Sequence, residues 1–254
     1  MNTLTYTQTV RQKAVCEKII DMKNQIGLYS PREDNQGNMY FCSHSGEVYA
    51  FNDKGEYGPY YTTGGQPNSK SLYLNILIGI AFDSTNSFFI ADISNAGVYK
   101  KESNEKDLEL YTKEYDNIEF KGPSSLAYNN DEKSIYICDS GTFGTTTLNK
   151  PTGSLYIMEM NSEDQPYLLR PLLYNCLSQP SDVLYDHIRG MVYVAETYAN
   201  RVIRLAQNPS GVYHASVFHQ FQGTIGPTAL AMDELGNLYV GRYEYQVIYF
   251  KLIC

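Results

Sequence analysis

The chain has no tryptophan, only four histidines, and an odd five cysteines in 254 residues. The cysteines (Cys16, Cys42, Cys138, Cys176 and Cys254) form no CxxC pair. That spacing excludes the usual zinc and dithiol motifs and reads as reduced thiols in an intracellular protein. No basic run is longer than two residues and the formal net charge is −8. A nucleic acid is thereby excluded as the main partner, because phosphate binding needs a positive footprint. No apolar run approaches the length of a membrane span; the longest, LYLNILIGIAF (Leu72–Phe82), is broken by Asn75. The opening MNTLTYTQTVRQKAVCEK lacks a signal-peptide core. A cytoplasmic location is the expectation. There is no Walker loop, GxSxG or GxGxxG. His44, His187, His214 and His219 stand in turns or strand ends without a carboxylate at ligand spacing, which reads as surface histidine.

What is abundant is tyrosine, 24 residues of it, in short apolar runs that recur. NMYFCS, SFFIAD, SIYICD, MVYVAE and NLYVGR end at Ser43, Asp92, Asp139, Glu196 and Arg242. A spacing in the forties to fifties is that of propellers and related arrays. An apolar run precedes most copies: IGIAFD, PSSLAY, PSDVLY and PTALAM. A third run follows: GEVYAF, AGVYKK, GSLYIM and NRVIRL. Tyr, Val, Ile and Phe suit a pleated, half-buried surface, and the Gly, Asn and Asp between them supply tight turns, as in EDNQGN and DELGN. The pattern predicts an all-β chain, a single β-propeller domain over residues 1–254. The expected division is N-terminal clasp strands over 1–25 and blades near 27–70, 71–120, 121–178, 179–225 and 226–254. Phe41, Ile90, Ile137, Val194 and Val240 recur at one strand position and are expected to be buried. KKESNEKDLE (Lys100–Glu109) reads as a solvated turn between outer strands. FGTTTLNKPTG (Phe143–Gly153) is an insert in the third repeat and a candidate recognition loop.

IGIAFDSTNSFFIADISNAGVYK, SIYICDSGTFG with TGSLYIME, VAETYANRVIRL and GPTALAMDELGNLYVGR together resemble successive blades of strictosidine-synthase-like proteins. These are six-bladed propellers related to the paraoxonases and the SMP-30/gluconolactonases, and the last motif is similar to NHL repeats as well. The resemblance implies a divalent cation, usually calcium, over the central channel. Its ligands would be a Glu in the first blade, Asn or Asn-Asp in the third, Asn in the fourth and Asp in the fifth. Those positions fall on Tyr29, on Ser124 and Ser125, on Ser181, and on Thr228 and Ala229. Calcium takes six to eight oxygens and its affinity follows carboxylate count, so no family-type cofactor is expected. The resemblance also implies a sixth blade carrying a catalytic Glu in the synthase. With five repeats visible, a C-terminally incomplete ring with a gap is the expectation.

A propeller brings the end of each second strand and the start of each first strand to one face. That places Asp92, Asp139, Asp182, Glu196 and Arg242 around one opening as candidate ligand-binding residues. The acids suit a cation or an amine and Arg242 an anion. The same acids also suit capping of turn N–H groups, and Arg242 suits pairing with a neighbouring acid. Two functions follow. One is a non-catalytic propeller that binds a partner protein or a small ligand. The other is a calcium-dependent lactonase- or esterase-type hydrolase, or a strictosidine-synthase-like enzyme, with a rearranged site built from the four acids.

Overall fold

The computed structural model describes residues 28–43, 47–52, 54, 56–62, 77–103, 108–142, 144–160, 166–223, 226–242 and 248–251. The described residues contain no helix. They form successive antiparallel sheets whose strands follow chain order. The first sheet is β1 (Leu28–Glu33), β2 (Met39–Ser43), β3 (Glu47–Phe51) and β4 (Tyr57–Thr62). The second is β5 (Leu77–Phe82), β6 (Phe88–Asp92), β7 (Gly97–Lys101) and β8 (Glu109–Thr112). A small hairpin, β9 (Glu114–Tyr115) and β10 (Ile118–Glu119), turns through Asp116 and Asn117, both at positive φ as a two-residue hairpin turn demands. The third sheet is β11 (Pro123–Asn129), β12 (Ser134–Asp139), β13 (Gly153–Met160) and β14 (Pro166–Leu177). The fourth is β15 (Pro180–Asp186), β16 (Met191–Glu196), β17 (Arg201–Gln207) and β18 (Tyr213–Gln220). The fifth is β19 (Pro227–Met232), β20 (Leu238–Arg242) and β21 (Ile248–Lys251). These are the blades of a propeller. The innermost strands pack in order, β1 on β5, β5 on β11, β11 on β15 and β15 on β19.

Packing between blades makes the core. One cluster joins Tyr40, Cys42 and Val48 of the first blade to Ile80, Phe88 and Ile90 of the second. The next joins Phe89, Ala91 and Val98 to Leu126, Ile135 and Ile137, the third joins Tyr136, Cys138 and Leu155 to Val183, Val192 and Val194, and the fourth joins Tyr193 and Val202 to Leu230 and Val240. Aromatic stacking repeats at two of these seams. Phe89 stacks on Tyr128 at 5.8 Å and Tyr136 on Tyr185 at 5.7 Å, each pair contributing about 0.5–1.5 kcal/mol beyond its area. The five column residues Phe41, Ile90, Ile137, Val194 and Val240 are all buried.

The sequence pattern misses β1, the hairpin β9–β10, and the fourth strands β4, β8, β14 and β18. Those outer strands lie at sheet edges: β18 is exposed or half-buried along its length, so no alternation of apolar residues marks it. The stretch Lys100–Glu109 is corrected in part. Lys100 and Lys101 end β7, and Glu109 starts β8. Lys100 is buried, its ammonium 2.5 Å from Glu102 and 5.5 Å from the centre of the Phe89 ring. The expected clasp strands over 1–25 lie outside the described residues, as does the side chain of Tyr29.

Candidate functional site

Each innermost strand starts opposite the last residue of the second strand. Leu77 pairs with Asp92, Pro123 with Asp139, Pro180 with Glu196 and Pro227 with Arg242. Register therefore sets these four candidate residues at one level, as the repeat implies. Their side chains, however, turn into local backbone. Asp92 accepts from the N–H groups of Ser94 (2.9 Å) and Asn95 (3.1 Å) and from the Asn95 amide (2.6 Å). Asp139 accepts from the N–H groups of Lys121 (2.9 Å) and Gly141 (3.1 Å). Burial pushes both carboxyls above the usual carboxylate range, against those hydrogen bonds. Glu196 accepts from Ser178 N–H (2.8 Å) and the Arg201 guanidinium (2.6 Å). Arg242 donates to Asn200 Oδ1 (3.2 Å) and Gln222 O (3.0 Å), with its guanidinium 5.1 Å from the Phe221 ring centre.

Asp182 is different. It follows a register shift near the start of β15, where Pro180 pairs with Glu196 and Asp182 with Ala195, leaving Ser181 as the extra residue of a β-bulge. The same irregularity recurs at Ile78, Ser124 and Thr228. At the level of Asp182 the other innermost strands carry Gly79, Ser125 and Ala229. One carboxylate thus stands among small side chains, with room to reach across. Asp182 Oδ1 accepts from Ser125 Oγ (2.5 Å, third blade) and from Arg32 Nη2 (3.0 Å, first blade), and Oδ2 accepts from Leu230 N–H (2.7 Å, fifth blade). Four blades meet on this one side chain, and the Arg32–Asp182 ion pair joins the first blade to the fourth. Arg32 keeps 22% of its side-chain surface open. The sequence reading missed Arg32, whose partner lies 150 residues away.

The serines found where the resemblance implies metal ligands have another use. Ser124 Oγ (3.2 Å) and Ser140 Oγ (2.7 Å) both donate to the carbonyl of Pro180, the first residue of the next blade's inner strand. One blade on, Ser181 Oγ (3.3 Å) and Thr197 Oγ1 (2.7 Å) both donate to the carbonyl of Pro227. The bulge turns Ser124 and Ser181 outward to the neighbour, and the strand-initial proline offers a carbonyl and no N–H. With their hydroxyls on carbonyls and Asp182 on Arg32, these residues do not fit calcium, which needs six to eight oxygens. Among the described residues no three His, Cys, Asp or Glu side chains come together as metal ligands.

The insert of the third blade flanks the same face. Gly141 and Gly144 at positive φ start it, and Thr147 and Lys150 exchange backbone hydrogen bonds of 3.1 and 3.2 Å. Ser178 Oγ donates to Thr147 O at 3.2 Å and ties the loop to the fourth blade. Thr146, Thr147, Leu148 and Asn149, with Tyr198 from the β16–β17 turn, line a depression of about 380 Å³. The insert is legible in the sequence as a lengthened repeat; Tyr198 is not. Of the described histidines, His187 packs on Tyr185, His219 on Phe221, and His214 lies 3.4 Å from the Asn208 amide.

No protein-family model and no curated protein matches the sequence. Solved structures do. Regucalcin of Agrobacterium tumefaciens, described as a calcium-binding protein, superposes with a TM-score of 0.67 at 16% identity, over 90% of this chain and 71% of that one. A gluconolactonase of Xanthomonas campestris gives 0.66 at 14% identity, over 85% and 69%. A chain of the nidogen–laminin complex gives 0.60 at 15% identity, over 81% and 70%. The chain shares their propeller fold. At these identities the likeness fixes architecture and leaves chemistry to the side chains. No helix among the described residues is long and apolar enough to cross a membrane.

Proposed function

We propose that the chain is a ligand-binding propeller whose site is the Asp182–Arg32 pair, and that it takes a small oxygen-rich molecule of the lactone or carboxylate-ester class. The carrying observation is the Arg32 side chain, 22% exposed at the convergence of the innermost strands, with Nη2 on Asp182 and Nη1 on the carbonyl of Pro31 (3.0 Å). Guanidinium N–H groups match carbonyl and carboxylate oxygens. Asp182 is spent on three blades, so it positions Arg32 and leaves the binding of an acyl oxygen to it. Calcium is not part of this site.

Hydrolysis of such a ligand is the second reading. The likeness in fold to a gluconolactonase and to regucalcin supports it over the docking of a partner protein. A pH-stat assay with gluconolactone, run with and without added calcium, separates the readings. Binding in calorimetry that Arg32→Ala abolishes, without acid release above the spontaneous rate, is the expected result. Acid release that depends on Arg32 moves the chain to the hydrolases. Absence of both binding and turnover across a panel of lactones and esters overturns the proposal.

A further inference from the structure

We infer that the insert of the third blade and the β16–β17 turn form a second site, separate from the channel pair, for a neutral carbohydrate ring. The depression has about 380 Å³ of space, within the roughly 300–1,000 Å³ of small-molecule sites, and it contains neither Asp182 nor Arg32. Its lining carries no formal charge: two threonines, one leucine, one asparagine and one tyrosine. Anions and cations find no counter-charge there. A neutral ring with an apolar face and a polar rim does.

The unspent valences of the lining point the same way. Thr146 Oγ1 accepts from Thr152 N–H (3.2 Å) and Thr147 Oγ1 from Lys150 N–H (3.1 Å). Neither hydroxyl donates to a described residue; Thr146 is buried in the floor of the depression, and Thr147 is exposed and has its O–H to give. The Asn149 amide and the Tyr198 hydroxyl make no hydrogen bond with any described residue either. An amide and a phenol each donate and accept, and so does every sugar hydroxyl. Leu148, 61% exposed, and the Tyr198 ring supply the apolar surfaces against which the C–H face of a sugar lies. Most tyrosine rings of the described blades pack on another ring, whereas Tyr198 has no ring partner among the described residues. The loop is held in place by the Thr147–Lys150 pair, by Ser178, and by Lys121, whose ammonium donates to Thr152 O at 3.3 Å. It therefore loses little freedom on binding.

The site is open and has a single aromatic wall, so the affinity expected for a monosaccharide is on the order of millimolar. The test is saturation-transfer NMR on the full chain with methyl glucopyranoside and methyl N-acetylglucosaminide as probes. Transfer concentrated on one face of the sugar ring is expected. Tyr198→Ala should weaken it at least about tenfold, Tyr198→Phe no more than about threefold, and Arg32→Ala not at all. No transfer at about 50 mM probe, some tens of times the expected dissociation constant, overturns the inference. So does transfer unchanged in Tyr198→Ala, or lost in Arg32→Ala. The last outcome would assign the sugar to the channel pair and leave the proposed function standing.

Discussion

Asp182 answers to donors from the first, third and fifth blades, so its removal leaves Leu230 N–H and Arg32 Nη2 without their acceptor. Asp182→Ala is expected to lower unfolding free energy by about 2–4 kcal/mol, read as a fall in the urea midpoint at unchanged slope. A loss below about 0.5 kcal/mol would mean that the pair is as dispensable as a surface ion pair. The thiols divide by the same logic of burial. Burial pushes Cys42 up to about 12 and Cys138 well above the usual thiol value; Cys176 is raised as well but is exposed. Peptide mapping after brief alkylation of native protein should find Cys176 modified and Cys42 and Cys138 intact. Of the five candidate residues, Asp182 was legible as an acid just after a strand-initial proline. Arg32 was not, because neither a bulge nor a contact across the channel leaves a local mark in sequence.

At the scale of the element, the turns between first and second strands repeat one device. Asp34 accepts from Gln36 and Asn38 N–H, the Asn38 amide and the Tyr40 hydroxyl; Asp233 accepts from Leu235 and Asn237 N–H, the Asn237 amide and the Tyr239 hydroxyl. Burial pushes the Asp34 carboxyl up, but those hydrogen bonds together outweigh it and leave it below its usual value. Asp233, led by its bond from Asn237, is lowered as well. A lowered carboxyl contributes stability that is present above the unfolded value and lost as pH falls through the folded one. Asp34→Asn should therefore flatten the loss of stability below about pH 4, measured by urea titration from pH 5 to 2. Asp92 and Asp139, raised by burial, act oppositely and oppose stability as pH rises past their folded values. Between blades, a methyl added at Gly79 would lie 2.8 Å from Ser125 Cα and 2.9 Å from Ser124 O. Gly79→Ala should cost about 1–3 kcal/mol in the same assay, since only backbone shift can relieve it. Apart from β1, the turns and the inner three strands were readable because turn residues and buried β-branched or aromatic residues alternate there. Outer strands escaped because exposure relaxes their sequence.

For the whole molecule, tyrosine takes the place that tryptophan leaves. Burial pushes Tyr49 and Tyr156 up to about 12, and raises Tyr40 and Tyr136 further. A raised tyrosine contributes stability that is whole below the unfolded value near 10 and is lost as pH climbs through the folded one. Tyrosinate absorbance should therefore rise in two stages: a first stage from exposed rings near pH 10, and a second that coincides with loss of β-sheet circular dichroism. A single transition near pH 10 with the fold intact would contradict the buried seams. The propeller architecture was plain from the repeat; the chemistry was not, since serine in place of a carboxylate says what is missing and not what replaces it.

The hydroxyl pairs Ser124–Ser140 and Ser181–Thr197 each grip the first residue of the blade that follows. Such a latch has a direction. It runs from earlier to later sequence, and it asks nothing of the later blade beyond one proline carbonyl. Both hydroxyls of the third-blade latch lie before the fourth blade in sequence, and the residue they hold is the first of the fourth blade's inner strand. Synthesis proceeds from the N-terminus at about 5–20 residues per second, so these two joints ask for only the opening residue of the next blade.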